Sequence, residues 1–392
     1  MGNSPEESEP RSDLVSASPR PFRLYGVPHS LYTGIARSYL RTQGIPYVEI
    51  TSSDPDFAKR IMPVIQRAII PVLETPDGEI IQDSLDIIDH FEKQGVSYSA
   101  YPQGALQRVL AIIVQYYGCQ TLLPHAMHYR WSYRDQQETF LRDAFASGSG
   151  ADMAEKIMGR MNSYLPQLGV TEQSIPAIEE SFEALLDLLN VHFAEHPYLF
   201  GGRPSIGDFG LIGPMFAHLG RDPVPAGLMK TRAPKVFRWV ERMTAPGLDT
   251  PEFPGYAPDF LPDDQIPETL EPLFGHIASE IFPMLTDKLA LLDALVAEHD
   301  PQDGQPVAPK PHQRYVGMVE THFRGTPVQV GVQPYMLYIL RRADQVLAGC
   351  NEEERARVNA ALSDRGLANA LPGERGYSVD RRNQIEVWSR PG

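Results

Sequence analysis

The chain has 392 residues and a formal net charge of −15, from 35 basic and 50 acidic side chains. This length exceeds one ordinary hydrophobic core and predicts about two or three folded units. Basic residues never occur in runs longer than two, so the chain lacks the positive surface that binds phosphate backbones, and we predict no nucleic-acid partner. No apolar stretch approaches the roughly 20 residues that cross a bilayer, so we also predict no membrane partner.

Cysteine usage and the first residues bear on location and metals. Cys119 and Cys350 cannot form a disulfide framework and match no metal-ligand spacing, which predicts a reducing, cytoplasmic location. His125 and His128 lack a third ligand nearby, so we predict no metal site. Residues 1–20 are polar and rich in Ser and Pro, which predicts a disordered tail without a signal peptide.

The first informative segment covers residues 22–50 and predicts a strand, a helix and a second strand. An apolar stripe of Ile35, Ala36, Tyr39 and Leu40 has helical spacing, and residues 44–46, Gly-Ile-Pro, end that helix with a permissive residue and a stop. We therefore expect a βαβ unit whose first loop precedes the helix.

The second informative segment covers residues 69–91. Pro71 lies among apolar residues typical of a buried strand, and because proline cannot donate to the sheet ladder it requires a sheet edge or a cis peptide bond. Residues 75–78, Thr-Pro-Asp-Gly, predict a tight hairpin turn between two short strands. Asp83 and Ser84 then open a helix, whose free N–H groups and hydroxyl would bind a small carboxylate.

This order of parts resembles the thioredoxin-like half of the glutathione S-transferases. A second motif supports the resemblance: Ser205 and Asp208 have the spacing of a capping box before an apolar helix, as in the helical domain of that family. The resemblance implies an α+β multi-domain protein with a thioredoxin-like βαβαββα domain over residues 21–98 and an all-α domain over residues 104–248. Residues 249–392 are predicted to form an α/β extension, helices plus a hairpin, packed on the helical domain.

The pattern of the extension predicts its elements. Residues 270–299 have helical spacing and are expected to split near Pro283. A hairpin is expected over residues 315–332, helices over residues 335–347 and 352–362, and a final strand pair over residues 377–388.

The resemblance assigns the glutathione-binding residues. It implies that the backbone of Ile70, next to Pro71, pairs with the cysteinyl part of glutathione. It also implies that Asp83 and Ser84 hold the γ-glutamyl end.

This sequence differs from the family at the position that holds the glycyl end of the tripeptide. A lysine common there is replaced by Ile69. Gln66 and Arg67 are close enough to take its place, and we assign Arg67 to the site, although a solvated side chain is the alternative role for Arg67.

The resemblance places Ser30 at the catalytic position after the first strand. A free thiol has a pKa of about 8.5, so a hydroxyl at a helix N-terminus that donates to the sulfur would stabilise the reactive thiolate. A helix cap is the alternative role for Ser30. Tyr25 and Tyr32 are rival donors, because tyrosine serves in some branches of the family.

Ring side chains are unusually dense over residues 115–135. In the resembled family this helix lines the electrophile pocket, while core packing is the alternative role for at least half of these rings. The candidate pocket residues are His29, Tyr32, Tyr116, His128 and Trp131.

The resemblance implies a homodimeric transferase that uses glutathione as co-substrate and conjugates its thiolate to a small hydrophobic electrophile. Two alternatives stay open: a glutathione-dependent lyase, isomerase or dehalogenase on the same fold, and a non-catalytic binding or scaffold protein. Because thiol-transfer reactions on this fold use a cysteine where Ser30 stands, the serine favours conjugation.

Overall fold

The computed structural model describes residues 20–147 and 150–390. The predicted disordered tail lies outside the described residues except for Arg20. Within the described residues, no helix is both long and apolar enough to cross a membrane.

The first unit is built on a four-stranded sheet with the strand order β2-β1-β3-β4. A π-helical turn, Phe57–Ile61, precedes its short second helix. Its elements are β1 (Phe22–Gly26), α1 (Leu31–Thr42), β2 (Tyr47–Thr51), α2 (Met62–Ile65), β3 (Val72–Glu74), β4 (Ile80–Gln82) and α3 (Ser84–Gln94).

The strand directions bring several chain segments to one edge of this sheet. Strand β1 runs parallel to β2 and antiparallel to β3, and β3 is antiparallel to β4. Tyr25 pairs with Val72, and Val72 pairs with Gln82. The end of β1, the start of β3 and the end of β4 therefore lie side by side, and α1 and α3 both begin there. We call this place the site edge.

The second unit is helical. A close crossing of α4 and α9 forms its centre, where a Cβ on Gly210 would lie 2.5 Å from the Cα of Gln115. The predicted capping box is confirmed: Asp208 N–H donates to Ser205 Oγ, and Ser205 N–H donates to Asp208. The helices are α4 (Ala105–Tyr116), α5 (Leu123–Trp131), α6 (Arg134–Ala146), α7 (Ala151–Asn162), α8 (Ile175–Glu195), α9 (Ile206–Ala217), α10 (Pro223–Arg232) and α11 (Pro234–Thr244), and a π-helical turn, Tyr117–Thr121, links α4 to α5.

The extension contains four helices and two hairpins in the described residues. The expected split at Pro283 separates its first two helices, and both expected strand pairs form. The elements are α12 (Glu271–Ile281), α13 (Met284–His299), β5 (Gly317–Phe323), β6 (Thr326–Val332), α14 (Tyr335–Gly349), α15 (Glu352–Asp364), β7 (Ser378–Arg382) and β8 (Ile385–Ser389).

The extension packs against both preceding units. Buried apolar side chains from all three, from Leu24 to Trp388, form one continuous cluster. Helix α14 packs on α4, and α12 packs on α8. The Asp264 carboxylate accepts hydrogen bonds from the N–H groups of Leu106 and Gln107, both at 2.8 Å, so the extension caps the start of α4. The predicted fold class is confirmed, and the extension also reaches the thioredoxin-like sheet.

Candidate functional site

Two unusual backbone conformations lie at the site edge. The Ile70–Pro71 peptide bond is cis, and Asp83 has a φ of 104°, a conformation that residues with a side chain rarely adopt. The Asp83 carboxylate accepts hydrogen bonds from Leu85 N–H and from the Tyr335 hydroxyl, both at 2.8 Å. These two contacts hold the strained residue in place at the start of α3.

Ser84 lies next to Asp83 as the first residue of α3. Its side chain is buried, and no side-chain hydrogen bond of Ser84 is found among the described residues. The hydroxyl can therefore donate to a ligand at the helix N-terminus.

Ser30 forms the cap of α1. Its hydroxyl oxygen accepts a hydrogen bond from Thr33 N–H at 3.3 Å, which confirms the capping role. Because this contact uses an oxygen lone pair, the hydroxyl proton can still donate to a second group. The capping and catalytic roles of Ser30 are thus compatible.

The two rival tyrosines differ in what their hydroxyls contact. Tyr25 is fully buried and donates to Glu74 at 3.0 Å; burial and this hydrogen bond raise the pKa of Tyr25 to about 12. Tyr32 donates to the carbonyl of Cys119 at 3.2 Å, and burial raises its pKa above the usual value. Both phenols are therefore neutral at pH 7 and already have acceptors.

Two buried arginines hold the loop that precedes Ser30. Arg37 donates to the carbonyl of Val27, and Arg130 donates to the carbonyl of His29, each at 3.1 Å. Arg130 also binds Asp222 through two hydrogen bonds of 2.6 and 2.9 Å. Sequence reasoning missed Arg130; its signal was a charged residue within a helix of buried rings.

His29 lies among these cations. Burial, followed by the charges of Arg130, Arg221 and Arg37, lowers the pKa of His29 to about 3, so the ring is neutral. The ring packs against Phe145 with centroids 4.1 Å apart.

The structure distributes the predicted electrophile residues over several separate places, although His29 and Trp131 share a neighbour, Phe145. Trp131 packs on Phe145, in the same cluster as His29. His128 contacts Glu179 and Ser132, and Tyr116 is buried in the main core. Among these residues, Tyr32 lines the cavity at the site edge.

The cavity is narrow: its empty space of about 530 Å³ includes open solvent, and little of that space is wide enough for a water molecule. Similar numbers of its lining residues come from the first two units and from the extension. The lining residues are Tyr32, Arg67, Ile69, Ile70, Pro71, Gln82, Asp83 and Gln120 on one side, and Val307, Gln313, Arg314, Gln333, Pro334, Tyr335 and Glu386 on the other.

Arg67 makes its main ion pair with the extension. Its guanidinium donates to both carboxylate oxygens of Glu386, at 2.7 and 3.0 Å, and to Gln82 Oε1 at 2.8 Å. Burial would raise the pKa of Glu386, but the hydrogen bond from Arg67 and the charges of Arg381 and Arg67 lower it to about 2. The Glu386 carboxylate is therefore ionised at neutral pH, and Arg67 is not a solvated side chain.

Gln384 occupies the outer edge of β4. Its Oε1 accepts from Gln82 N–H at 2.9 Å, and its Nε2 donates to the carbonyl of Ile80 at 2.8 Å. One side-chain amide thus pairs with β4 as a peptide group of a further strand would. Nothing in the local pattern around Gln384 indicates where this side chain binds.

The described residues contain no group of three or more His, Cys, Asp or Glu side chains arranged for a metal ion.

Comparisons with known proteins identify the family. The sequence profile described as "Glutathione S-transferase, N-terminal domain" matches residues 24–96, and that described as "Glutathione S-transferase, C-terminal domain" matches residues 172–242. The chain belongs to the glutathione S-transferase family. Membership indicates a glutathione-related transferase or a related activity. The extension of this glutathione S-transferase family member, residues 249–392, lies outside both matched ranges.

Several solved structures are similar to this glutathione S-transferase family member. A glutathione S-transferase from Xanthobacter autotrophicus Py2 is 21% identical, with 58% of this chain and 95% of that chain covered and a TM-score of 0.34. Beta-etherase LigF from Sphingobium sp. strain SYK-6 is 15% identical, with 58% and 96% covered and a TM-score of 0.40. A family member from Pseudomonas fluorescens Pf-5, solved with two glutathione bound, is 15% identical, with 57% and 88% covered and a TM-score of 0.35. A search of curated proteins gave no match.

Proposed function

We propose that this chain binds glutathione at the site edge and conjugates its thiolate to a small hydrophobic electrophile. One observation carries the proposal: the strand register brings Ser30, Pro71 and Ser84 to the same edge of the sheet, where two helices begin. Helix N-termini favour anions, and this edge offers one for a carboxylate and one for a thiolate.

The proposed roles follow the family resemblance, and the contacts of these residues are compatible with them. Ser84 and the start of α3 take the γ-glutamyl carboxylate, and the backbone of Ile70 pairs with the cysteinyl residue. Ser30 donates its free hydroxyl proton to the thiol sulfur. The hydrogen bond from Ser30 and the N-terminus of α1 both favour the thiolate over the thiol. Arg37 and Arg130 hold the loop before Ser30 through the carbonyls of Val27 and His29.

The assembly and location follow the family. We propose a cytoplasmic homodimer, and static light scattering of the full chain tests the dimer.

A second candidate function is a non-catalytic protein with the same fold. Ile69 in place of a lysine and the occupation of Arg67 by Glu386 favour it. The lyase, isomerase and dehalogenase alternatives share the glutathione site and differ in the second substrate.

Glutathione binding tests the proposal. We expect reduced glutathione to raise the unfolding midpoint of the full chain, because a ligand that binds the native state stabilises it. Ser84→Ala should weaken binding by about 1–3 kcal/mol, as expected for loss of a hydrogen bond to a charged group. Ser163→Ala, at an exposed serine, is the matched control.

Activity separates the candidates. Turnover of an aromatic halide or epoxide with glutathione supports conjugation. Binding without turnover of any electrophile in a panel would favour the non-catalytic protein, and no binding at millimolar glutathione would overturn the proposal.

A further inference from the structure

The extension presents three polar groups to the site edge, and each has the chemistry of a peptide ligand. The Glu386 carboxylate binds Arg67 in a bidentate pair. The Gln384 amide pairs with the edge of β4. The backbone carbonyl of Gln384 accepts from Arg67 at 3.0 Å. Carboxylate, amide and peptide carbonyl are the groups that a tripeptide carries.

Arg67 is a buried receptor for a carboxylate. With the extension in place its side chain is only 4% exposed, and Glu386 is the carboxylate that pairs with it among the described residues. A buried guanidinium without an anion is costly, so an anion must be supplied from elsewhere. The carboxylate that supplies it lies 319 positions along the chain.

We propose that residues 382–386, the tip of the β7–β8 hairpin, are an internal occupant of the glutathione site. Glutathione then binds by displacing this tip, and Arg67 exchanges Glu386 for a carboxylate of the tripeptide. This inference rests on the proposed glutathione binding and assigns Arg67 the glycyl carboxylate that the missing lysine would hold.

The β7–β8 hairpin has different contacts at its base and at its tip, so the tip can open while the base stays packed. Its base is apolar and buried, with Val379, Val387 and Trp388 at most 6% exposed. Four of the five residues of its tip are polar, and Arg382 and Asn383 are exposed. When the tip opens, its polar groups exchange their protein contacts for water, and the site edge exchanges them for ligand contacts. The apolar base stays buried.

Occupation of the site lowers the apparent affinity for glutathione. If only a fraction of molecules has the tip displaced, the apparent dissociation constant is the intrinsic constant divided by that fraction. Weakening the tip contacts therefore tightens glutathione binding, whereas removing a residue that contacts the ligand would weaken it.

Two variants of the full chain test whether weakening the tip contacts tightens glutathione binding. Glu386→Gln removes the charge that pairs with Arg67 and with Arg381. Gln384→Ala removes both side-chain contacts with β4. Asp300→Asn is the matched control, because Asp300 pairs with Arg390 beyond the base of the same hairpin, at 2.6 Å. Calorimetric titration with reduced glutathione gives the dissociation constant, and circular dichroism with thermal unfolding shows that each variant is folded.

We expect Glu386→Gln and Gln384→Ala each to lower the dissociation constant about tenfold, and Asp300→Asn to leave it within about twofold. Hydrogen exchange on the wild-type chain adds a measurement that requires no substitution: glutathione should increase exchange in residues 380–386. The Gln82 amide, which donates to Gln384, should change with them.

Unchanged or weaker glutathione binding in both variants, while the wild-type chain binds, would overturn the internal occupant and leave the proposed function intact. Absence of glutathione binding in the wild-type chain and in every variant would instead overturn the proposed function, and the internal occupant with it.

Discussion

Ser30 carries a hydroxyl at the start of α1, next to the loop that Arg37 and Arg130 hold. Its oxygen accepts from Thr33 N–H, while its proton is available for a thiolate. We expect Ser30→Ala to lower turnover at neutral pH about 100-fold, as expected for loss of one donor to a developing anion. The same change should lower the free energy of unfolding by about 0.5–2 kcal/mol through the lost cap.

A control variant keeps both properties of the hydroxyl. Ser30→Thr keeps a hydroxyl that can both cap and donate, so it should retain more stability and turnover than Ser30→Ala. Full turnover in Ser30→Ala would transfer the role to Tyr32, whose ring lines the cavity, and Tyr32→Phe would then lose activity.

His192 predicts a pH dependence of stability. Burial, followed by the neighbouring His196, lowers the pKa of His192 to about 3. The unfolded chain takes up a proton below its usual pKa of about 6.5 and the native chain does not until pH 3. Stability contributed by neutral His192 is therefore present above pH 6.5 and falls as the pH falls, by at most about 1.4 kcal/mol per pH unit.

Thermal unfolding between pH 7 and 5 tests whether stability falls as the pH falls. His192→Gln should show a smaller fall of the unfolding midpoint over this range than the wild-type chain. The control His312→Gln, at an exposed histidine, should follow the wild-type curve. Equal slopes for His192→Gln and the wild type would contradict the prediction.

The Arg130–Asp222 pair links α5 to the segment between α9 and α10 and to the loop before Ser30. Both side chains are buried. Asp222→Asn leaves a buried guanidinium without its anion, so we expect a loss of about 3–5 kcal/mol in the free energy of unfolding, measured with urea. Turnover should fall as well, because Arg130 positions the carbonyl of His29.

An exposed pair of the same kind is the control. Asp187 binds Arg232 at 2.7 Å, and both side chains are more than a third exposed. Asp187→Asn should cost at most about 1 kcal/mol. A similar loss in both variants would show that burial does not set the value of the Arg130–Asp222 pair.

Local patterns in the sequence predicted the elements, because turns and caps depend on neighbours in the chain. The Asp77-Gly78 turn, the capping box at Ser205 and the split at Pro283 are all found where expected. These features require no knowledge of the tertiary structure.

The partners of the site residues could not be predicted in this way. Arg67 and Glu386 are 319 positions apart, and Gln82 and Gln384 are 302 apart. No spacing rule relates residues at such separation, so Arg67 could be assigned to the site but not to its carboxylate. The predicted electrophile residues failed to converge for the same reason, since His128 and Trp131 lie on one helix but contact different neighbours.

The extension completes the hydrophobic core of the whole chain. Leu273, Phe274, Leu337 and Leu340 are nearly or fully buried in the same cluster as the helical unit. Removing residues 251–392 would expose the faces of α4 and α8 that these helices cover and would remove the Asp264 cap of α4. Burial of one such side chain contributes about 1.5–3 kcal/mol, so the sum exceeds the usual stability of a domain.

We therefore expect a chain truncated after Thr250 to aggregate or to unfold at a much lower temperature than the full chain. Expression with residues 251–392 as a separate fragment should restore a soluble complex, because the missing surface is supplied in trans. Light scattering and thermal unfolding measure both outcomes. A truncated chain that is monodisperse, equally stable and unchanged in its range of electrophiles would show that the extension neither completes the core nor narrows the cavity at the site edge.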